Sequence, residues 1–175
     1  MSGDLSDDRV LRKAARDHSR DGDIIVLLLN AGMAALGYNF VSQLRKLGLM
    51  QHLLLAPAEA ECAALASLWH AFAENAPPCG WAQALMAHAG WRNFGVNAST
   101  DVLALYASRW YVSARLADLG YSVLILDVDA ALHFDPLKLL RSRPLADSDV
   151  VITDQGRGSG INCGVCISHS RTVDP

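Results

Sequence analysis

The sequence predicts an α/β fold with a mostly parallel, Rossmann-like sheet flanked by helices. Short apolar runs of the kind found in buried parallel strands alternate with segments whose apolar residues have helical spacing. The chain opens in the order strand, helix, strand, helix, which favours a parallel sheet with helices packed on its faces. Its 175 residues, of which 51% are hydrophobic and 19% charged, suit one domain with a substantial core.

The first half of the chain contains two strand–helix pairs. The run DIIVLLLN, from Asp23 to Asn30, predicts a strand that is buried on both faces. Apolar residues between Tyr38 and Leu47 have the spacing of an amphipathic helix, and Gly48 is expected to end that helix. The segment QHLLLA at 51–56 predicts a second buried strand, and residues 59–69 predict a second helix.

The second half continues the alternation. A long helix is expected from Thr100 to Leu119, ended by Gly120, after a connecting region with a short helix near 82–88. Three further strands are then predicted, at residues 121–126, 149–153 and 161–168.

Composition and charge narrow the class of protein. The 15 basic and 18 acidic side chains give a net charge of −3, which argues against nucleic-acid binding. No apolar stretch reaches the ~20 residues that a membrane span requires. Residues 1–23 mix charges of both signs and are expected to form a polar tail or a frayed helix around 8–18, so the domain is expected to span 24–175. Four cysteines are too few to indicate a disulfide scaffold, and Arg141 and Arg143 are expected on a solvated face.

The segment with the clearest chemical signal is LILDVDAALHFDP, residues 124–136. Asp127 and Asp129 stand where an apolar strand runs out, and ligands of open α/β sheets bind beyond the carboxyl ends of strands. Two close carboxylates repel each other unless a cation joins them. Oxygen ligands at this spacing suit Mn²⁺ or Mg²⁺, either of which can bind a diphosphate. The alternative is that both are ordinary turn residues.

A wider block of sequence resembles a known family. RWYVSARLADLGYSVLILDVD at 109–129, followed by HFDP at 133–136, is similar to the core of the nucleotide-diphospho-sugar transferase domain family. These are GT-A-fold glycosyltransferases of the plant and algal xylosyl-, arabinosyl- and galactosyltransferase type. Asp154 with INCGV at 161–165, and the opening strand–helix–strand, also resemble the family pattern. Relatives continue beyond the Asn-x-Gly strand, so the resemblance implies a domain that is incomplete at its C-terminus.

The resemblance implies a role for each matching residue. Asp129 would bind the divalent metal, and Asp127 would contact the metal or the donor ribose. Arg109 would approach the donor diphosphate, and Asn30 would border the nucleotide base pocket. The sugar and acceptor side would be lined by Asp154, Asn162 and Gly164, with Asp154 acting in catalysis together with Asp127 and Asp129.

The same residues have plainer interpretations. Arg109 could be a solvated helix residue, Asn30 a turn or cap residue, and Asn162 a satisfied polar group at a strand end. The change at Cys163, where the family usually has Thr, Ser or Ile, is mild. Cys163 and Cys166 would face opposite ways in a strand, which favours buried thiols over a metal pair.

The function that the resemblance implies is transfer of a sugar from a nucleotide-sugar donor, with UDP-sugar the expected type, to a glycan or glycoprotein acceptor in the Golgi lumen. Two alternatives stay open. One is a non-catalytic protein that keeps nucleotide affinity without turnover. The other is a HAD-type phosphatase, in which the first aspartate of D-x-D is the nucleophile. The late position of Asp127 leaves little chain for the remaining groups of a phosphatase.

Overall fold

The strands of this protein form one mixed sheet. The computed structural model describes residues 2–72, 76–82, 100–154 and 161–169. The strands in this part of the chain are β1 Ser2–Asp4, β2 Asp23–Leu28, β3 His52–Leu55, β4 Cys79–Trp81, β5 Ser122–Asp127, β6 Val150–Asp154 and β7 Ile161–Ser168. Their order is β1-β4-β3-β2-β5-β7-β6. The strands from β1 to β5 pair in parallel, and β7 is antiparallel to both β5 and β6. The mostly parallel sheet predicted from the sequence is confirmed.

Helices cover both faces of the sheet. The α-helices of the described residues are α1 Asp8–His18, α2 Ala34–Lys46, α3 Glu59–Ala71, α4 Thr100–Asp118 and α5 Pro136–Leu140. One core contains alternate residues of β2 and β5 packed with α2, α3 and α5, and the other contains the intervening residues packed with α1 and α4. This alternation follows from the two-residue period of a strand, and it explains why the central strands are apolar on both faces.

Two glycines end helices as the sequence predicts. Gly48 follows α2 with φ of 76°, and Gly120 follows α4 with φ of 91°. Both values lie in the left-handed region, which glycine adopts without the steric penalty of a Cβ atom. The short helix predicted near 82–88 lies almost entirely outside the described residues.

The N-terminal segment is part of the fold, which corrects the prediction of a polar tail at residues 1–23 and agrees with the alternative of a helix around 8–18. Strand β1 pairs with β4 at one margin of the sheet. Helix α1 begins after Asp7, whose carboxylate accepts hydrogen bonds from the amides of Arg9 and Val10. The helix buries Leu11, with 1% of its surface exposed, against the sheet. A charged exterior with few apolar residues is what a helix shows when only a narrow stripe faces the core.

A disulfide joins helix α3 to strand β4. Cys62 and Cys79 are bonded, with 5.6 Å between their Cα atoms and a sequence separation of 17. One disulfide is compatible with the inference that four cysteines are too few for a disulfide scaffold, and the sequence analysis did not pair these two. Cys166 is buried in β7.

An ion pair anchors the start of the central strand at the amino edge of the sheet. Arg141, just after α5, pairs with Asp23 at the beginning of β2, whose side chain is only 7% exposed. Burial raises the pKa of Asp23, while Arg141 acts in the opposite direction. Arg143 instead pairs with Asp147 at 3.5 Å, with both side chains mostly in solvent. Arg141 therefore has a structural role that its expected place on a solvated face did not suggest.

Candidate functional site

Strands β2 and β5 end side by side at the carboxyl edge of the sheet. Leu28 and Asp127, their last residues, are paired in parallel register. From β2 the chain continues to β3 and β4 on one side, and then returns to β5 on the other side of β2. In open α/β sheets such a reversal of strand order opens a crevice at the carboxyl ends, where ligands bind. The topology therefore predicts a binding crevice beyond Leu28 and Asp127.

The D-x-D sequence forms the turn that leaves β5. Asp127 is the last residue of the strand, and the amide of Ala130 donates a hydrogen bond to its carbonyl oxygen at 3.2 Å. Val128 is buried with 3% of its surface exposed, whereas Asp129 is exposed. The extended geometry assumed from the sequence thus stops at Asp127. The turn nevertheless keeps both aspartates at the carboxyl edge.

Burial and charges of both signs act on the carboxyl of Asp127. Burial raises the pKa of Asp127, the Arg109 guanidinium opposes this rise, and the negative charge of Asp129 adds to it. A cation bound beside Asp127 would favour the ionised form of its carboxyl.

Arg109 lies against Asp127 and is itself buried. Its Nη1 atom is 3.5 Å from Oδ1 of Asp127, and its side chain is 10% exposed. The guanidinium carbon lies 4.8 Å from the ring centre of Tyr106 and 5.4 Å from that of Trp110, within range of cation–π attraction. The alternative of a solvated helix residue is therefore wrong. Helix α4 holds a positive charge next to the D-x-D turn.

Asn30 lies two residues beyond the end of β2, at the same edge. Its Oδ1 atom accepts a hydrogen bond from the amide of Met33 at 3.1 Å and caps the 3-10 turn Ala31–Met33. The capping role, one of the two sequence interpretations, is confirmed. Glu61 of α3, which the sequence analysis did not single out, accepts a hydrogen bond from the amide of Ala31 at 2.7 Å. Two side chains thus fix the loop that follows β2.

A second helix side chain fixes the loop that follows β5. Gln43 of α2 accepts a hydrogen bond from the amide of Leu132 through its Oε1 atom, at 3.0 Å. Asp135 then caps α5 by accepting from the amide of Leu137 at 2.9 Å. Gln43 was also missed from the sequence. The segment between the D-x-D turn and α5 is therefore held at both its middle and its end.

The sequence did contain a signal for Gln43 and Glu61. Gln43 follows the buried Phe40 by three residues, and Glu61 precedes the buried Leu65 by four. These spacings place each polar residue on the apolar side of its helix. A polar side chain there needs a hydrogen-bond partner, which here is a loop amide.

The remaining predicted residues are placed through the backbone of β6 and β7. Asp154, the last residue of β6, pairs with Ile161, and Asn162 pairs with Thr153. Gly164 immediately precedes Val165, which pairs with Leu126 near the end of β5. Strand pairing thus brings all three to the carboxyl edge. The side chains of Asp154 and Asn162 lie outside the described part of the structure.

The protein groups that could hold a metal here are few. Within the described residues there is no group of three or more His, Cys, Asp or Glu side chains arranged for a metal ion. Asp127 and Asp129 would supply two oxygen ligands and leave the other positions to water and phosphate oxygens. This donor set fits Mg²⁺ or Mn²⁺, which bind through one or two carboxylates plus substrate phosphates.

Comparison with known proteins adds one finding. Residues 70–163, more than half of the chain, match a family model described as nucleotide-diphospho-sugar transferase. The match contains Arg109, Asp127 and Asp129, and it ends within β7. No curated protein and no solved structure matches the chain. In the described ranges, no helix combines the length and apolarity needed to cross a bilayer.

Proposed function

Because the chain belongs to the nucleotide-diphospho-sugar transferase family, we propose that it transfers a sugar from a UDP-sugar to a glycan or glycoprotein acceptor, with Mn²⁺ or Mg²⁺ bound by Asp127 and Asp129. This is the chemistry of the D-x-D members of plant and algal type. The observation that carries the proposal is the position of Asp127, Asp129 and the buried guanidinium of Arg109 at the carboxyl edge of β2 and β5.

The charges at this edge suit a diphosphate. A divalent ion bound between Asp127 and Asp129 would neutralise the negative charge that develops on the departing nucleoside diphosphate. Arg109 is close enough to Asp127 to share in that task, because a guanidinium can donate two parallel hydrogen bonds to a phosphate. Burial beneath Tyr106 and Trp110 limits the motion of Arg109 and would keep it oriented.

The other predicted residues divide between the base end and the sugar end of the nucleotide-sugar. Asn30 keeps its amide NH₂ group after its Oδ1 atom has capped the 3-10 turn, and that group is a donor suited to a base edge. Asp154, Asn162 and Gly164 come from strands on the other side of β5. Their place in the sheet supports a role on the sugar and acceptor side. A glycine there would let the substrate approach the backbone closely.

The Golgi lumen is the compartment that we propose. The disulfide between Cys62 and Cys79 supports it, because such bonds persist in oxidising compartments of the secretory pathway and are rare in the cytosol.

Calorimetric titration of UDP, with Mn²⁺ and with a chelator, tests the proposal. We expect Mn²⁺ to strengthen UDP binding by about tenfold or more, and we expect Asp127→Asn and Asp129→Asn to remove that gain. Asp147→Asn is the matched control, because among the described residues this exposed aspartate forms an ion pair with Arg143, away from the D-x-D turn. Equal UDP affinity with metal and with chelator would contradict the proposal.

Turnover separates the remaining alternatives. An active transferase releases UDP slowly from a UDP-sugar in the presence of Mn²⁺, with water replacing the acceptor, and we expect this release to stop in Asp129→Asn. Metal-dependent UDP binding without release would favour a non-catalytic nucleotide-binding protein. Phosphate-ester hydrolysis that disappears in Asp127→Asn would favour a HAD-type phosphatase.

A further inference from the structure

We propose that Gln43 is a positioning residue for the metal-binding turn, a role that rests on the proposed function. It touches neither the metal nor the donor. Through its hydrogen bond to the Leu132 amide it holds the chain that follows Asp129. Gln43 lies outside the part of the chain that matches the family model.

In the segment after β5, Ala130 and Leu132 pack against the core, and a few hydrogen bonds fix the backbone. The Ala130 amide closes the turn onto Asp127, and Asp135 fixes the start of α5. Among the described hydrogen bonds, the one from the Leu132 amide to Gln43 is the attachment between these two points. Asp129 is exposed, so its position depends on the path of the backbone rather than on packing of its own side chain.

Helix α2 is a firm support for this contact. Phe40 and Leu44 flank Gln43 along the helix and are fully buried. At Gly37 the helix lies so near to β2 that an added Cβ would come within 2.5 Å of a Leu29 side-chain carbon. Close packing of this kind leaves α2 little freedom to shift. Gln43 therefore ties the loop that follows Asp129 to a helix that packs closely in the core.

An amide is also the appropriate chemical group. The Leu132 N–H needs an acceptor, and a glutamine provides one without charge. A glutamate would accept the same hydrogen bond but would bring a third carboxylate toward Asp127 and Asp129. The glutamine side chain thus accepts a hydrogen bond and carries no charge, and different variants can test these two properties separately.

Hydrogen exchange tests the contact in the metal-free protein. In Gln43→Met, which preserves the length of the side chain and removes the acceptor, we expect faster exchange of the Leu132 amide, by about threefold or more for the loss of one hydrogen bond. Gln43→Glu keeps an acceptor oxygen and should restore slow exchange. Lys46→Met, on the exposed side of the same helix, is the control and should exchange as the wild type does.

Metal titration tests the consequence for binding. We expect Gln43→Met to raise the Mn²⁺ concentration that half-saturates UDP binding by about three- to tenfold. UDP affinity in chelator and the unfolding midpoint should stay near those of Lys46→Met. A general structural defect would lower both, so these two measurements separate positioning from stability.

Each outcome decides the matter. Faster exchange of the Leu132 amide, together with a higher Mn²⁺ concentration for half-saturation of UDP binding, supports the positioning role. Wild-type exchange in Gln43→Met, or faster exchange with unchanged Mn²⁺ dependence, overturns that role while the proposed function stands. If UDP binding of the wild type does not depend on Mn²⁺, the proposed function fails, and the role of Gln43 fails with it.

Discussion

The ion pair between Arg109 and Asp127 allows a quantitative prediction. Replacing Arg109 by Met removes the positive charge and keeps much of the apolar stem that packs on Tyr106 and Trp110. Replacing it by Lys keeps the charge and loses the planar fork. The two variants therefore separate the contribution of charge from that of shape.

The expected loss of stability follows from the geometry. Two unit charges 3.5 Å apart attract by about 5 kcal/mol at an effective dielectric constant of roughly 20, and by about 1 kcal/mol in water. Arg109 is 10% exposed and Asp127 is 34% exposed, so the pair lies between these limits. Removing one partner also leaves the other partly buried without its counter-charge. We expect Arg109→Met to lower the free energy of unfolding by about 2 kcal/mol at neutral pH, and Arg109→Lys by about half as much.

The loss should depend on pH with a definite sign. Burial raises the pKa of Asp127 above the ordinary value of 3.8, so this carboxyl favours the folded state at low pH. Its favourable contribution is lost as the pH rises from 3.8 through the raised folded pKa. Arg109 offsets part of that loss once Asp127 is ionised. The difference between wild type and Arg109→Met should therefore be full above this window and should shrink as the pH falls through it.

Urea unfolding of the wild type and both variants across pH 3.5 to 8 measures these differences. Convergence of the wild-type and Met curves at low pH would identify the ion pair as the source of the loss. A loss that is the same at every pH would refute the reasoning, because it would assign the effect to packing against the aromatic rings.

Two further predictions concern stability away from the site. Arg141→Met leaves the buried carboxylate at the start of β2 without its ion-pair partner and should lower the free energy of unfolding by about 2–3 kcal/mol. Arg143→Met removes a partner from an exposed pair and should change the free energy of unfolding by less than about 0.5 kcal/mol. Equal losses for the two variants in urea unfolding would contradict this contrast. Replacing Cys62 and Cys79 together by Ala should lower the free energy of unfolding by about 3 kcal/mol, because the disulfide closes a loop of 17 residues in the unfolded chain. A reducing agent should lower the thermal midpoint of the wild type to near that of the double variant, and it should leave the midpoint of the double variant unchanged.

The central strands could be predicted because their sequences are apolar on both faces. Strands β2, β3 and β5 are buried along their lengths, and such runs have few other stable placements. Strands β1 and β4 were missed. Their sequences, SGD and CGW, carry no apolar run, and each forms because a partner far away in sequence completes the sheet.

The residues of the candidate site could be singled out more readily than the groups that support them. Asp127 and Asp129 stand at the end of a buried strand and Arg109 lies in the family pattern, and the structure places Arg109 beside Asp127. Gln43 and Glu61 act on backbone amides of loops whose paths no sequence pattern specifies. The joining of Cys62 to Cys79 likewise depends on how α3 lies beside β4, which only the folded chain reveals.

Helix α2 reaches both loops of the crevice. It starts directly after the 3-10 turn that Asn30 caps, and near its other end Gln43 holds the chain beyond Asp129. Because close packing leaves α2 little freedom to shift, the helix sets a fixed distance between the two loops. In the proposed function, a nucleotide at the first loop and an ion at the second would therefore meet a spacing that already exists in the free protein.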